Sequence, residues 1–188
     1  IEMKKVILLV SIFLLAVLFT GCVTILSSET TVKIDKSENW ELSQELLFEG
    51  ESYNEYSQDV IDGLNTMVSE GESSGLEVSF EKLPDQQGNV PYTVTIKGAG
   101  LDKLNEMLGT SEDGTPAFNR VTVDGETMYG FQMDPTALTI SGLNIGLSQE
   151  FKFTIEGMKV VESNGKKNGA NSVTWTDPLE TMTATLSP

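Results

Sequence analysis

The reactive side chains in this sequence are a single thiol and a large excess of carboxylates. Cys22 is the only cysteine, and there is no histidine among the 188 residues. Without imidazole, Ser-His and Cys-His nucleophile pairs, histidine-based zinc sites and the usual proton shuttle near neutral pH are excluded. Downstream of Cys22 no thiol remains for a disulfide, a redox couple or a thiolate metal site. Acid-base chemistry would fall to paired carboxylates, and the spacing offers Glu70 with Glu72, Asp59 with Asp62, and Asp102 with Glu106. Among 28 acidic residues such pairs arise by chance, and a glycosidase pair must in addition straddle a cleft. Ser111-Glu112-Asp113-Gly114 and Asp124-Gly125 are acidic turns without the EF-hand loop pattern, so solvated turns are expected there, not calcium sites. No catalytic residue, cofactor or metal is expected.

The setting of the thiol is more informative. Met3-Lys4-Lys5 precedes Val6 to Phe19, a run without charge, and Thr20-Gly21-Cys22 follows it. A positive start, an apolar run and small residues before a cleavage point make a secretion signal. Phe19-Thr20-Gly21-Cys22 resembles the lipobox of bacterial lipoproteins, with Phe19 where Leu, Val or Ile is more usual. The resemblance implies a thioether from Cys22 to diacylglycerol and removal of residues 1–21. Small side chains at Thr20 and Gly21 suit close approach by processing enzymes, and the thiolate is the alkylated nucleophile. The competing reading is an uncleaved anchor, since Val6 to Leu26 carries no charge and is long enough to span a bilayer. Both readings place the remainder outside the cytoplasm, on a cell membrane.

The net charge of −16 repels nucleic acid and anionic headgroups, so no nucleic-acid partner is expected. Membrane residence would then rest on the lipid at Cys22, where two acyl chains suffice at roughly 0.8 kcal/mol per buried methylene. The same acidity also favours solubility at a cell surface. The expected organisation is a signal peptide over 1–21, a short tether over 22–29 and one α+β domain over 30–188.

Positioning elements follow from periodicity. Val32 and Ile34, then Trp40, Leu42, Leu46 and Phe48, alternate with polar residues and predict an antiparallel hairpin from Thr30 to Phe48 turning at 36–39. Ser52-Tyr53-Asn54-Glu55 has the form of a capping box opening a helix. Tyr56, Val60, Ile61, Leu64, Met67 and Val68 form its apolar stripe, and Gly71 and Gly75 read as stop signals. Strands are predicted over Leu76 to Lys82 and Val90 to Lys97, broken by Gly98-Ala99-Gly100, with a short helix bearing Leu101, Leu104 and Leu108. Further strands follow over Phe118 to Val123, Thr127 to Met133, Ala137 to Ile140, Gln149 to Ile155, Met158 to Glu162, Asn171 to Thr176 and Glu180 to Leu186. The fold class is therefore α+β, with one or two antiparallel sheets, two helices, a strand-rich C-terminal half and the order β-β-α-β-β-α-β(n).

Two stretches carry a family resemblance. One is Val94-Thr95-Ile96-Lys97-Gly98, then Leu101-Asp102-Lys103-Leu104-Asn105 and Leu108-Gly109. The other is Lys159-Val160-Val161-Glu162-Ser163-Asn164-Gly165, then Ala170-Asn171-Ser172-Val173-Thr174-Trp175. In order and spacing they resemble the LppM-type domain of bacterial envelope lipoproteins, from about Thr30 to Leu186, although Gly157-Met158 stands where relatives often have Pro-Gly. In physical terms, Asn164-Gly165 supplies residues that tolerate positive φ in a turn, and Val173 and Trp175 point one way to cover a sheet face. Trp175 is expected in the core. The resemblance implies an envelope protein, with lipid or glycolipid binding in some members. Two roles are compatible with these features: a module accepting an acyl chain or glycolipid between the sheet and the helix bearing Val60, Leu64 and Met67, or a surface lipoprotein recognising a protein or polysaccharide partner.

Overall fold

The computed structural model describes residues 23–109, 114–123, 125–134, 150–177 and 180–188. The lipobox, Ser111 to Asp113, Asp124 and the strand expected over Ala137 to Ile140 lie outside the described residues. In chain order the elements are β1 (Ile25–Ile34), β2 (Asn39–Phe48), α1 (Gly50–Ser73), β3 (Glu77–Lys82), β4 (Val90–Ala99), α2 (Leu101–Leu108) and β5 (Phe118–Val123). Then come β6 (Glu126–Met133), β7 (Glu150–Glu156), β8 (Lys159–Ser163), β9 (Lys166–Lys167), β10 (Ser172–Thr176) and β11 (Met182–Ser187). The expected α+β class and element order are observed.

The strands make a seven-stranded sheet, ordered β3-β4-β2-β1-β7-β10-β9, and a four-stranded sheet, ordered β5-β6-β11-β8. All pairings are antiparallel except β1 with β7, where Val32 faces Ile155 in a parallel register. Alternation in each strand gives the large sheet one apolar face. Trp40, Leu42, Leu46 and Phe48 of β2 stand beside Ile34 and Val32 of β1, Ile96 and Val90 of β4, and through β1 beside Phe153 and Ile155 of β7. The helix α1 covers the β3-β4-β2 part of this face, where Tyr53 meets Phe48 and Tyr92 at ring separations of 6.1 and 6.0 Å. The four-stranded sheet covers the β7-β10 part, where Phe131 stacks on Phe153 at 5.6 Å and tilts against Trp175 at 5.5 Å. On β1 and β2, between the two halves, buried Thr30 stands opposite Gln44, whose Nε2 donates to Ser28 Oγ at 3.3 Å, while Val32 and Ile34 keep the core continuous.

Several local expectations change. The first strand begins at Ile25, inside the stretch read as a tether over 22–29, because Val23 and Ile25 are 7% and 4% exposed and pack into the core. The capping box does not form. The helix opens at Gly50 with Glu49 as an N-cap lacking a side-chain bond, and Ser52 lies inside the first turn. The Ser52 hydroxyl instead accepts from Thr24 N at 3.0 Å and donates to Glu49 O at 3.2 Å, while Asn89 Oδ1 accepts from Gly50 N. Gly71 is no stop signal either: it lies within α1, where a Cβ would run into the Val78 side chain, so it sets how closely the helix approaches β3. Gly75, at φ 73°, makes the turn out of the helix.

The strands around the second motif also part company. β8 and β10 flank the glycine- and asparagine-rich turn but join different sheets, β8 beside β11 and β10 beside β7. The turn thus carries the chain from one sheet to the other.

Candidate functional site

Val60, Leu64 and Met67 are 0%, 1% and 6% exposed and belong to one continuous core with Leu46, Phe48, Val94 and Phe153. Their side chains are spent on packing. Cys22 itself lies outside the described residues, but the backbone just after it is fixed: Thr24 O accepts from Glu49 N at 2.9 Å, and Thr24 N donates to Ser52. The carboxylate pairs read from spacing each lie along one helix, with Asp59, Asp62, Glu72 and Asp102 exposed and Glu70 and Glu106 half-buried. They do not face one another across a cleft. Among the described residues no cluster of three or more metal-ligating side chains occurs, and no helix is long and apolar enough to cross a membrane.

The charge chemistry that the fold does assemble lies between the sheets. Glu38, in the β1–β2 turn at φ 60°, points its carboxylate at the guanidinium of Arg120 on β5, which donates from Nε at 2.6 Å and from Nη2 to the second oxygen. Tyr129 on β6 donates a third bond at 3.2 Å. Hydrogen bonding from Arg120 lowers the Glu38 pKa, and burial followed by the Glu38 charge raises that of Tyr129. Because Arg120 is the only arginine in the sequence, a planar two-point clamp can form here alone. This cluster joins the sheets and presents no vacant reacting position.

A second bridge uses the motif turn. Asn164 Oδ1 accepts from Trp175 Nε1 at 2.8 Å and from Thr183 N at 2.9 Å, while its Nδ2 donates to Thr181 O at 2.8 Å. One carboxamide thus ties β10 of the large sheet to β11 of the small one. Positive φ is not the reason for Asn164-Gly165, since neither residue adopts it. Gly165 is needed because a Cβ there would come within 2.7 Å of the Trp175 indole and 2.8 Å of Val173. Trp175 is buried, as expected from its strand.

Behind this bridge, the outward side of the four-stranded sheet forms an open trough of about 470 Å³. Its lining includes Asn119, Gly130, Gln132, Glu162, Thr183 and Thr185. Spacing alone gave no hint of these residues. The one signal was Gly130 in the middle of an otherwise alternating strand, a position where a missing side chain usually serves close approach.

No family model and no curated protein matches the chain. Among solved structures, the NMR structure of the folded domain of LppM from Mycobacterium tuberculosis is similar, at 14% sequence identity and a TM-score of 0.49, with 87% of this chain and 90% of that chain covered.

Proposed function

We propose that this protein is an envelope lipoprotein, held on the outer side of a membrane through a diacylglyceryl group on Cys22, with a folded body that recognises a partner at its surface and catalyses no reaction. The observation that carries the reading is the position of Cys22. The lipobox-like stretch ends there, after the two lysines Lys4 and Lys5 and the uncharged run from Val6 to Phe19. The charge of −16 supports an anchor that does not depend on headgroup attraction.

Surface recognition is favoured over an acyl chain lodged beneath α1, because the side chains that would have to make way, Val60, Leu64 and Met67, are in the core at 0%, 1% and 6% exposure. A lipid there would have to displace packed atoms at ~2–5 kcal/mol per large side chain. Expression of the full chain in a host that processes lipoproteins tests both parts. Wild type should partition with membranes, a chain beginning at Val23 should appear in the soluble fraction, and no lipid should be retained by the body of the protein in native mass spectra. Wild type that stays membrane-bound with residues 1–21 attached would establish a spanning anchor, and a stoichiometric co-purified lipid on the chain beginning at Val23 would restore the internal pocket.

A further inference from the structure

We infer that the trough on the outward side of the four-stranded sheet binds a neutral polyhydroxylated ligand, a short saccharide. The inference deepens the surface-recognition reading by naming a ligand class, and it makes no use of Cys22. One rung of the sheet runs Asn119, Gly130, Thr185, Glu162 across β5, β6, β11 and β8. The neighbouring rung places Gln132 opposite Thr183, next to Asn164. Three strand spacings of about 4.8 Å make the first rung roughly 14 Å long, which suits a short chain of sugar rings better than an ion.

Shape and chemistry converge on this class. The floor exists because Gly130 has no side chain, and the Asn119 carboxamide leans over the place a Cβ would take. The β11–β8 register changes between Thr185 and Leu186, where β8 carries the extra residue Val161, a bulge that bends β8 beside the trough. One wall is fixed in advance, because Asn164 is bonded to Trp175, Thr183 and Thr181. By contrast, the carboxamides of Asn119 and Gln132, the hydroxyl of Thr185 and the carboxylate of Glu162 make no side-chain bond to another described residue. Two amides, a hydroxyl and a carboxylate offer both donors and acceptors to vicinal hydroxyl groups. Among the described residues no lysine or arginine lines the trough, so phosphate and other anions find a carboxylate and no cation there. A peptide adding as a strand is disfavoured because the β6 and β11 backbones at its floor are already paired on both sides. The volume falls within the roughly 300–1,000 Å³ of ordinary small-ligand sites, and its polar lining suits a sugar better than a drug-like molecule.

The test is amide chemical-shift mapping on the full chain, titrated with mannotriose, cellotriose, chitotriose and, separately, inorganic phosphate. At least one trisaccharide should shift the amides of Asn119, Gly130, Gln132, Thr183 and Thr185 saturably, and phosphate should not. Thr185→Arg, an outward-facing change that fills the trough, should abolish the shifts. Asn119→Ala should weaken binding by roughly tenfold, the equivalent of about 1.4 kcal/mol. Unchanged far-ultraviolet dichroism and melting temperature would confirm that both variants fold. The inference is overturned if no trisaccharide shifts these amides at millimolar concentration, if the shifts map elsewhere, if phosphate binds there, or if folded Thr185→Arg binds like wild type. A chain that is lipidated on Cys22 yet blind to saccharides overturns this inference alone.

Discussion

The two halves of the large sheet's apolar face are covered by different means. Over β3-β4-β2 the cover is α1, joined to β2 by a single residue and to β3 by a short turn, and the contacts centre on one aromatic group of Tyr53, Phe48 and Tyr92, with a hydrogen bond between the two tyrosine hydroxyls. Over β7-β10 the cover is a second sheet assembled from distant segments. There the aromatic stack of Phe131 on Phe153 is reinforced by two side-chain bridges, Glu38 to Arg120 and Asn164 to Trp175. A helix joined to its strands by short connections closes small loops, whereas a sheet closed from remote parts of the chain carries a larger loop-closure entropy. The polar bridges specify which way that sheet sits.

The comparison can be broken most severely at its aromatic centre. Phe131→Ala should cost ~3–5 kcal/mol in chemical denaturation, and Leu64→Ala, its counterpart under α1, ~2–5 kcal/mol. The two should differ in how they fail. Amide exchange in Phe131→Ala should accelerate first in β5, β6, β8 and β11 while β2 and β4 stay protected. Uniform acceleration over both halves would mean that the sheets open as one unit.

Asn164→Ala comes next, at ~1–3 kcal/mol, because it leaves the buried Trp175 indole N–H and the Thr183 amide without their acceptor. Indole fluorescence should report the loosening of Trp175, and an unchanged spectrum with unchanged stability would remove the bridge from the account. Tyr92→Phe, which deletes the buried 2.8 Å hydroxyl contact with Tyr53, should cost only about 1 kcal/mol, since the helical half relies on packing.

The smallest effect at neutral pH is expected from Arg120→Met, where the guanidinium is largely exposed, but its pH signature is specific. The Glu38 pKa is lowered from 4.5 in the folded state, so its contribution is present above the unfolded value and is lost as pH falls through the folded value. Wild type should therefore lose stability on acidification below about pH 4.5 more steeply than Arg120→Met. Parallel acid profiles would show that the pair adds nothing to inter-sheet closure.

This contrast also explains what could be read from the residues. The helical half was legible: Trp40 to Phe48 alternate, Val60, Leu64 and Met67 recur at helical spacing, and local pattern is enough to pair a hairpin and lay a helix on it. The other half was legible only as strands. A period of two tells which face of β7 is buried, but not that its partner is β1 in a parallel register, nor that β8 and β10 join different sheets. Local motifs misled where a distant group took their side chain. Ser52 was claimed by Thr24, Gly71 served Val78 and Gly165 served Trp175. The trough was invisible for the same reason, since Asn119, Gly130, Thr185 and Glu162 become one rung only after four strands align. The reading of Cys22 rests on a setting contiguous in sequence, which no distant pairing has to assemble.

The proposed anchoring at Cys22 is the central claim of this account, and the intact mass of the protein purified from a lipoprotein-processing host tests it most directly. The account predicts a product spanning residues 22–188 whose mass exceeds that of the polypeptide by a diacylglyceryl group, with or without a further acyl chain. A product with an unmodified Cys22, or one retaining residues 1–21, would contradict it.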